Sequence, residues 1–117
     1  DVVMKNNILI TNVSSPNGNY SATVTYYSLS AVALGGEKVY ISNADGSNKE
    51  TVFFGYGYSC QVKWIDDNSL NIIVCKDYNR NVYSIKTMKE KCSDIIITYD
   101  KTVSDAFGDN EPWAPED

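Results

Sequence analysis

The chain has no histidine, only three prolines and three cysteines, no cluster of lysine or arginine and no long apolar run. Each absence removes a class of function. Without histidine there is no Ser-His-Asp or Cys-His nucleophile system, no histidine-ligated metal and no ordinary general base near neutral pH. Without a Cys-x-x-Cys pair the thiols lack zinc-site spacing, so neither a metal nor a cofactor is expected. No stretch approaches the roughly 18 apolar residues of a membrane span, and no charged leader with an apolar segment opens the chain. The sequence therefore reads as soluble, with no membrane insertion by this segment. It begins at Asp1 rather than Met, which is compatible with a removed leader or with a boundary inside a longer protein.

Charge of one sign is concentrated in one place. Asp100, Asp105, Asp109, Glu111, Glu116 and Asp117 stand against Lys101, so residues 100–117 hold the whole net charge of −5, and residues 1–99 sum to zero. A neutral body without a basic patch argues against nucleic acid as a partner. The acidic segment, which also carries Trp113, favours a basic protein partner or simply solvates the end of the chain.

What is abundant is packing material and turn chemistry. Apolar residues make up 43 % of the 117, with nine tyrosines, three phenylalanines and two tryptophans, a composition that folds. Apolar residues recur with a period of two, interrupted at short intervals by turn signals, which predicts an all-β antiparallel meander of about eight strands. In the first hairpin, a turn at Asn17-Gly18 with both residues at positive φ would oppose Val13 to Ala22, Thr11 to Val24 and Leu9 to Tyr26. Gly35-Gly36 reads as a second reversal and Asp45-Gly46 as a third. Gly55 and Gly57 interrupt an aromatic run where one strand hands over to the next. A late hairpin turns at Asp66-Asp67-Asn68, and Val82 to Ile85 and Asp94 to Thr98 complete the count, with a weak helix signal at Thr102 to Phe107. The expected core is Leu9, Val13, Ala22, Val24, Tyr26, Val39, Ile41, Val62, Trp64, Ile73, Val82, Ile85 and Ile96. This gives one domain over residues 1–99, followed by the acidic segment 100–117.

Two motifs carry a resemblance. Ser15-Pro16-Asn17-Gly18-Asn19-Tyr20 and Val39 to Ser47, with its Asn-Ala-Asp-Gly-Ser turn, resemble the paired turns of one blade in TolB-like propellers. Trp64 to Ser69 and Val82 to Ile85 stand where a second blade would repeat them. Two units cannot close a ring of at least about four blades, so the resemblance implies blade-like or sandwich-like sheets. Residues 14–75, including Val62-Lys63-Trp64-Ile65-Asp66-Asp67-Asn68-Ser69, also resemble small bacterial lipoprotein-like β domains, which implies a secreted or envelope-tethered setting and no known reaction.

The candidate chemistry is sparse. In a regular hairpin turning at Asp66 to Ser69, Cys60 falls opposite Cys75, as a disulfide or as two reduced core thiols, with Cys92 left over. Asp66-Asp67, or Asp77 with Glu90, are the carboxylate pairs available to a glycoside-cleaving enzyme, but Asp-Asp-Asn-Ser between strands reads as a turn. Asp45-Gly46-Ser47-Asn48 has the oxygen content of a calcium loop without its ligand repeat, and is also read as a turn. Asn12-Val13-Ser14 and Asn19-Tyr20-Ser21 have the form of glycosylation sequons. Phe54, Tyr56 and Tyr58, with Tyr26 and Tyr27 nearby, form either an aromatic recognition surface or alternating core positions. The function expected is non-catalytic protein binding through these aromatics and through Asp105, Asp109, Glu111 and Trp113. The alternative is a cytoplasmic immunity protein that covers a basic toxin site with its acidic segment.

Overall fold

The computed structural model describes residues 5–29, 34–76 and 83–101. They hold nine strands and no helix: β1 (Lys5–Ser14), β2 (Tyr20–Leu29), β3 (Leu34–Asn43), β4 (Glu50–Tyr56), β5 (Tyr58–Asp66), β6 (Ser69–Lys76), β7 (Ser84–Met88), β8 (Lys91–Cys92) and β9 (Ile95–Lys101). They form two sheets, ordered β1-β2-β3-β4-β7 and β5-β6-β9-β8. The chain is all-β, and the two sheets share one apolar core.

The first four strands are a meander, and both blade-like turn motifs lie at the same end of it. The Ser15–Gly18 turn closes with the Gly18 amide donating to the Ser15 carbonyl at 2.9 Å, and only Gly18 takes a positive φ, of 79°. Two positive φ values at Asn17-Gly18 are therefore not what is found. Pro16 at the second turn position presets a common turn, and glycine supplies the left-handed residue after it. The second motif turns at Gly46, φ 88°, and its Ala44 amide donates to the Asn19 carbonyl of the first at 3.0 Å. Gly35-Gly36 is not a reversal. It lies inside β3, paired with Ser28 and Tyr27, and the β2–β3 connection falls in residues 30–33, outside the described set.

Gly57, with φ 83°, is where the chain leaves the first sheet and enters the second, as the glycine-interrupted aromatic run predicts. The second sheet is not a repeat of the first meander. After the β5–β6 hairpin the chain returns to add β7 to the edge of β4, and β9 then pairs in parallel with β6. Ser84 and Ile85, expected in a second blade, thus extend the first sheet, while Val82 lies outside the described residues.

The core lies between the sheets. Ala22, Val24, Val39, Ile41 and Phe53 of the first sheet face Cys60, Trp64, Leu70, Ile72, Val74, Ile95 and Ile97 of the second. Three expected core positions fail for two physical reasons. A β-bulge at Ile10 shifts the β1–β2 register by one residue, so Leu9 opposes Thr25 instead of Tyr26 and is 62 % exposed. A second bulge at Ile65 shifts β5–β6, so Val62 opposes Ile72 and Ile73 turns away from the core, half-buried. In the run Ile95-Ile96-Ile97 no polar residue sets the phase, and the structure buries the outer two and leaves Ile96 48 % exposed. Tyr26 is also only half-buried.

Candidate binding face

With Val24, Val39 and Phe53 fully buried, alternation sends their neighbours to the opposite face of the first sheet. The register then aligns Thr25 with Lys38 and Lys38 with Phe54, and places Gly36 between Tyr27 and Tyr56. Tyr27, Phe54 and Tyr56 meet there. The Tyr27 and Phe54 rings pack edge-on at 5.4 Å, Phe54 and Tyr56 at 5.0 Å, and Tyr27 and Tyr56 at 6.4 Å. The last contact spans a strand that carries no side chain between the two rings, because a Cβ at Gly36 would fall on the Gly55 carbonyl. The Lys38 ammonium sits 5.3 Å from the Tyr27 ring centre and 5.2 Å from that of Phe54, a cation held over aromatic faces. Burial, and then the proximity of Tyr27, raise the Tyr56 phenol above its ordinary value, so it remains a neutral donor. All four side chains are half-buried.

Of the aromatic residues singled out from sequence, the structure brings Phe54 and Tyr56 together and separates Tyr58. Beyond Gly57, Tyr58 belongs to β5, where it packs against the core and meets Tyr83 edge-on at 5.9 Å. Lys38 escaped sequence reasoning, although the alternation Lys38-Val39-Tyr40-Ile41 around two buried residues would have placed it on this face. Asp105, Asp109, Glu111 and Trp113 lie outside the described residues.

The cysteines are not opposed. The bulge at Ile65 pairs Cys60 with Val74 and Ser59 with Cys75, which sends the two side chains to opposite faces of the sheet, and none of the three cysteines is in a disulfide. The expected placement of Cys60 opposite Cys75 is therefore corrected, and of its two alternatives the disulfide is not formed. Burial, followed by the nearby Glu37 carboxylate, holds the Cys60 thiol well above its ordinary range. Burial and Glu50 push Cys92 up to about 11. Both are protonated at neutral pH, which suits core packing and not nucleophilic attack.

The carboxylates singled out from sequence are engaged in loops. Asp66 accepts the Asn68 amide at 2.9 Å, and Asp67 reaches across to accept the Asn17 amide at 2.8 Å, tying the β5–β6 turn to the β1–β2 turn. Asp45 accepts both the amide and the hydroxyl of Ser47, and these hydrogen bonds lower its pKa. Asp77 lies outside the described residues and Glu90 is exposed. Among the described residues no three cysteine or carboxylate side chains gather as a metal site. Comparison with protein-family models, with characterised proteins and with solved structures gives no match to this chain.

Proposed function

We propose that this domain is a non-catalytic protein-binding module whose contact surface is the aromatic face of the first sheet. One observation carries the reading. Tyr27, Phe54 and Tyr56 form a contiguous, half-buried ring cluster around Lys38 on the side of the sheet away from the core. Tyrosine and phenylalanine in such a cluster offer large area at low entropic cost and leave a phenol to bond with a partner, the composition that dominates interface energetics. Among the described residues, Cys60 and Cys92 are buried and Asp45, Asp66 and Asp67 are held in turns by hydrogen bonds, so these groups offer no competing nucleophile or base. The lipoprotein-like resemblance of residues 14–75 favours a bacterial envelope or secreted setting for that partner. The acidity of residues 100–117 favours the second reading, an immunity protein with a basic toxin as target.

The test is site-specific photocrosslinking in the native host. A benzophenone amino acid at Tyr56 is expected to give one dominant protein adduct that the same probe at Lys63, exposed on the second sheet, does not give. Equal labelling from both positions, or none from Tyr56, would defeat the reading. If the adduct is a toxin whose activity the domain abolishes, the immunity reading takes precedence over the envelope one.

A further inference from the structure

Next to the aromatic cluster, on the same face, is a cavity of about 290 Å³ lined by Thr25, Lys38, Tyr40, Lys49 and Thr51. Its lining is chemically one-sided. It contains two ammonium groups and three hydroxyls and not a single carboxylate. Among the described residues, neither Lys38 nor Lys49 has an acidic partner. Each is instead positioned by rings: Lys38 over Tyr27 and Phe54, and Lys49 at 5.0 Å from the centre of Tyr40. Thr25 is 7 % exposed and its hydroxyl has no hydrogen-bond partner among the described residues, an orphaned polar group of a kind that folded proteins seldom retain without use.

We infer that this cavity is a binding site for a small hydroxylated anion, an acidic monosaccharide or a sugar phosphate. Two lysines with no counter-ion among the described residues call for an oxyanion. The volume is several times that of a bare anion and sits near the lower end of the roughly 300–1,000 Å³ of small-molecule sites, so the charge arrives on a ring-sized body. Tyr40 and Thr51 carry hydroxyls that both donate and accept, which matches a polyhydroxylated ring better than an apolar one, and the buried Thr25 hydroxyl, unpaired among the described residues, lies beneath them. Thr51 is brought opposite Tyr40 by the bulge at Val52, which restores Thr51 to the outer face after two successive buried residues.

The experiment is an amide NMR titration of the whole chain at constant ionic strength with glucuronate, glucose 6-phosphate and glucose. Saturable shifts centred on Thr25, Lys38, Tyr40, Lys49 and Thr51 are expected with one or both acids and not with glucose. Which acid binds more tightly distinguishes a carboxylate from a phosphate. Lys49→Gln is expected to weaken that binding about tenfold, the loss of one charged hydrogen bond, while Lys63→Gln leaves it unchanged. Lys49 is exposed, so its variant is expected to fold, and an unchanged melting temperature verifies this. Equal response to glucose, equal loss in Lys63→Gln, or shifts scattered over all lysines would overturn the site. This inference shares Lys38 with the protein-binding reading, but Tyr56 belongs only to that reading and Lys49 only to this one, so the two can fail separately. With the photoprobe moved to Tyr27 in the same cluster, Tyr56→Ala should impair crosslinking without changing the titration, and Lys49→Gln should do the reverse.

Discussion

Trp64 shows what one side chain does for the joint between the sheets. Its ring is buried in the common core, and its indole N–H donates to the Val13 carbonyl of β1 at 2.8 Å. Trp64→Phe keeps much of the ring and loses that hydrogen bond, so a loss of about 1 kcal/mol is expected in urea unfolding. Trp64→Ala adds a cavity and is expected to cost about 3–5 kcal/mol. The thiols make a second residue-level prediction. Cys92 is raised from about 9 to about 11 by folding, so the unfolded chain gives up its proton first. Its contribution is complete below pH 9 and is lost as pH rises to about 11, and Cys60, raised well above its ordinary range by burial, acts in the same direction. Stability should therefore fall through that alkaline window, and the fall should be shallower in Cys92→Ala, as measured by urea midpoints at a series of pH values. At this scale the sequence was legible wherever alternation was clean. Ala22, Val24, Val39, Ile41, Trp64 and Ile85 are all buried as expected, and Leu9 and Ile96 are not.

At the scale of elements, the two register errors share one cause. The hairpin pairs Val13 with Ala22 and Thr11 with Val24 follow from the turn, and the pairing fails only past Ile10, where one extra residue enters β1. The same event at Ile65 separates Cys60 from Cys75 and leaves Asp66 opposite Ser69, where simple counting puts it. A bulge leaves no composition signal here, because Ile10 and Ile65 are both good strand formers. Gly36 is the opposite case, a glycine with the look of a turn that is needed inside a strand. Gly36→Ala would drive a methyl group into the Gly55 carbonyl, and is expected to destabilise by more than about 2 kcal/mol and to separate Tyr27 from Tyr56. The bulge in β1 also leaves Ile8, Leu9 and Ile10 all exposed on a strand at the edge of its sheet. Leu9→Lys should reduce concentration-dependent aggregation while changing stability by less than about 0.5 kcal/mol, measured by light scattering and thermal unfolding.

For the molecule as a whole, the end of β9 matters more than charge counting suggests. Asp100 and Lys101 are not part of a separate segment, since they pair with Ile73 and Val74 in the parallel ladder. The expected boundary at residue 99 thus cuts a strand. A chain ending at Lys101 should be more stable than one ending at Tyr99 by about 1 kcal/mol, the order of one or two net backbone hydrogen bonds. Residues 102–117 hold five acids and no base, so the chain ending at Lys101 has no net charge. It should lose solubility near pH 7, with light scattering as the measure.

Side-chain alternation and turn chemistry act between near neighbours. The sequence alone therefore determined an all-β chain, the handover at Gly57, the hairpin at Asp66 to Ser69, and the clean core positions of β2 and β3. The tertiary structure decided which strands pair across distance: β7 with β4, and β9 in parallel with β6. Such pairings depend on how much apolar surface two sheets bury together, and no local pattern records that sum. The binding face belongs to the same category. Tyr27, Lys38 and Phe54 are far apart along the chain, and only the register of three strands gathers their rings around one ammonium group.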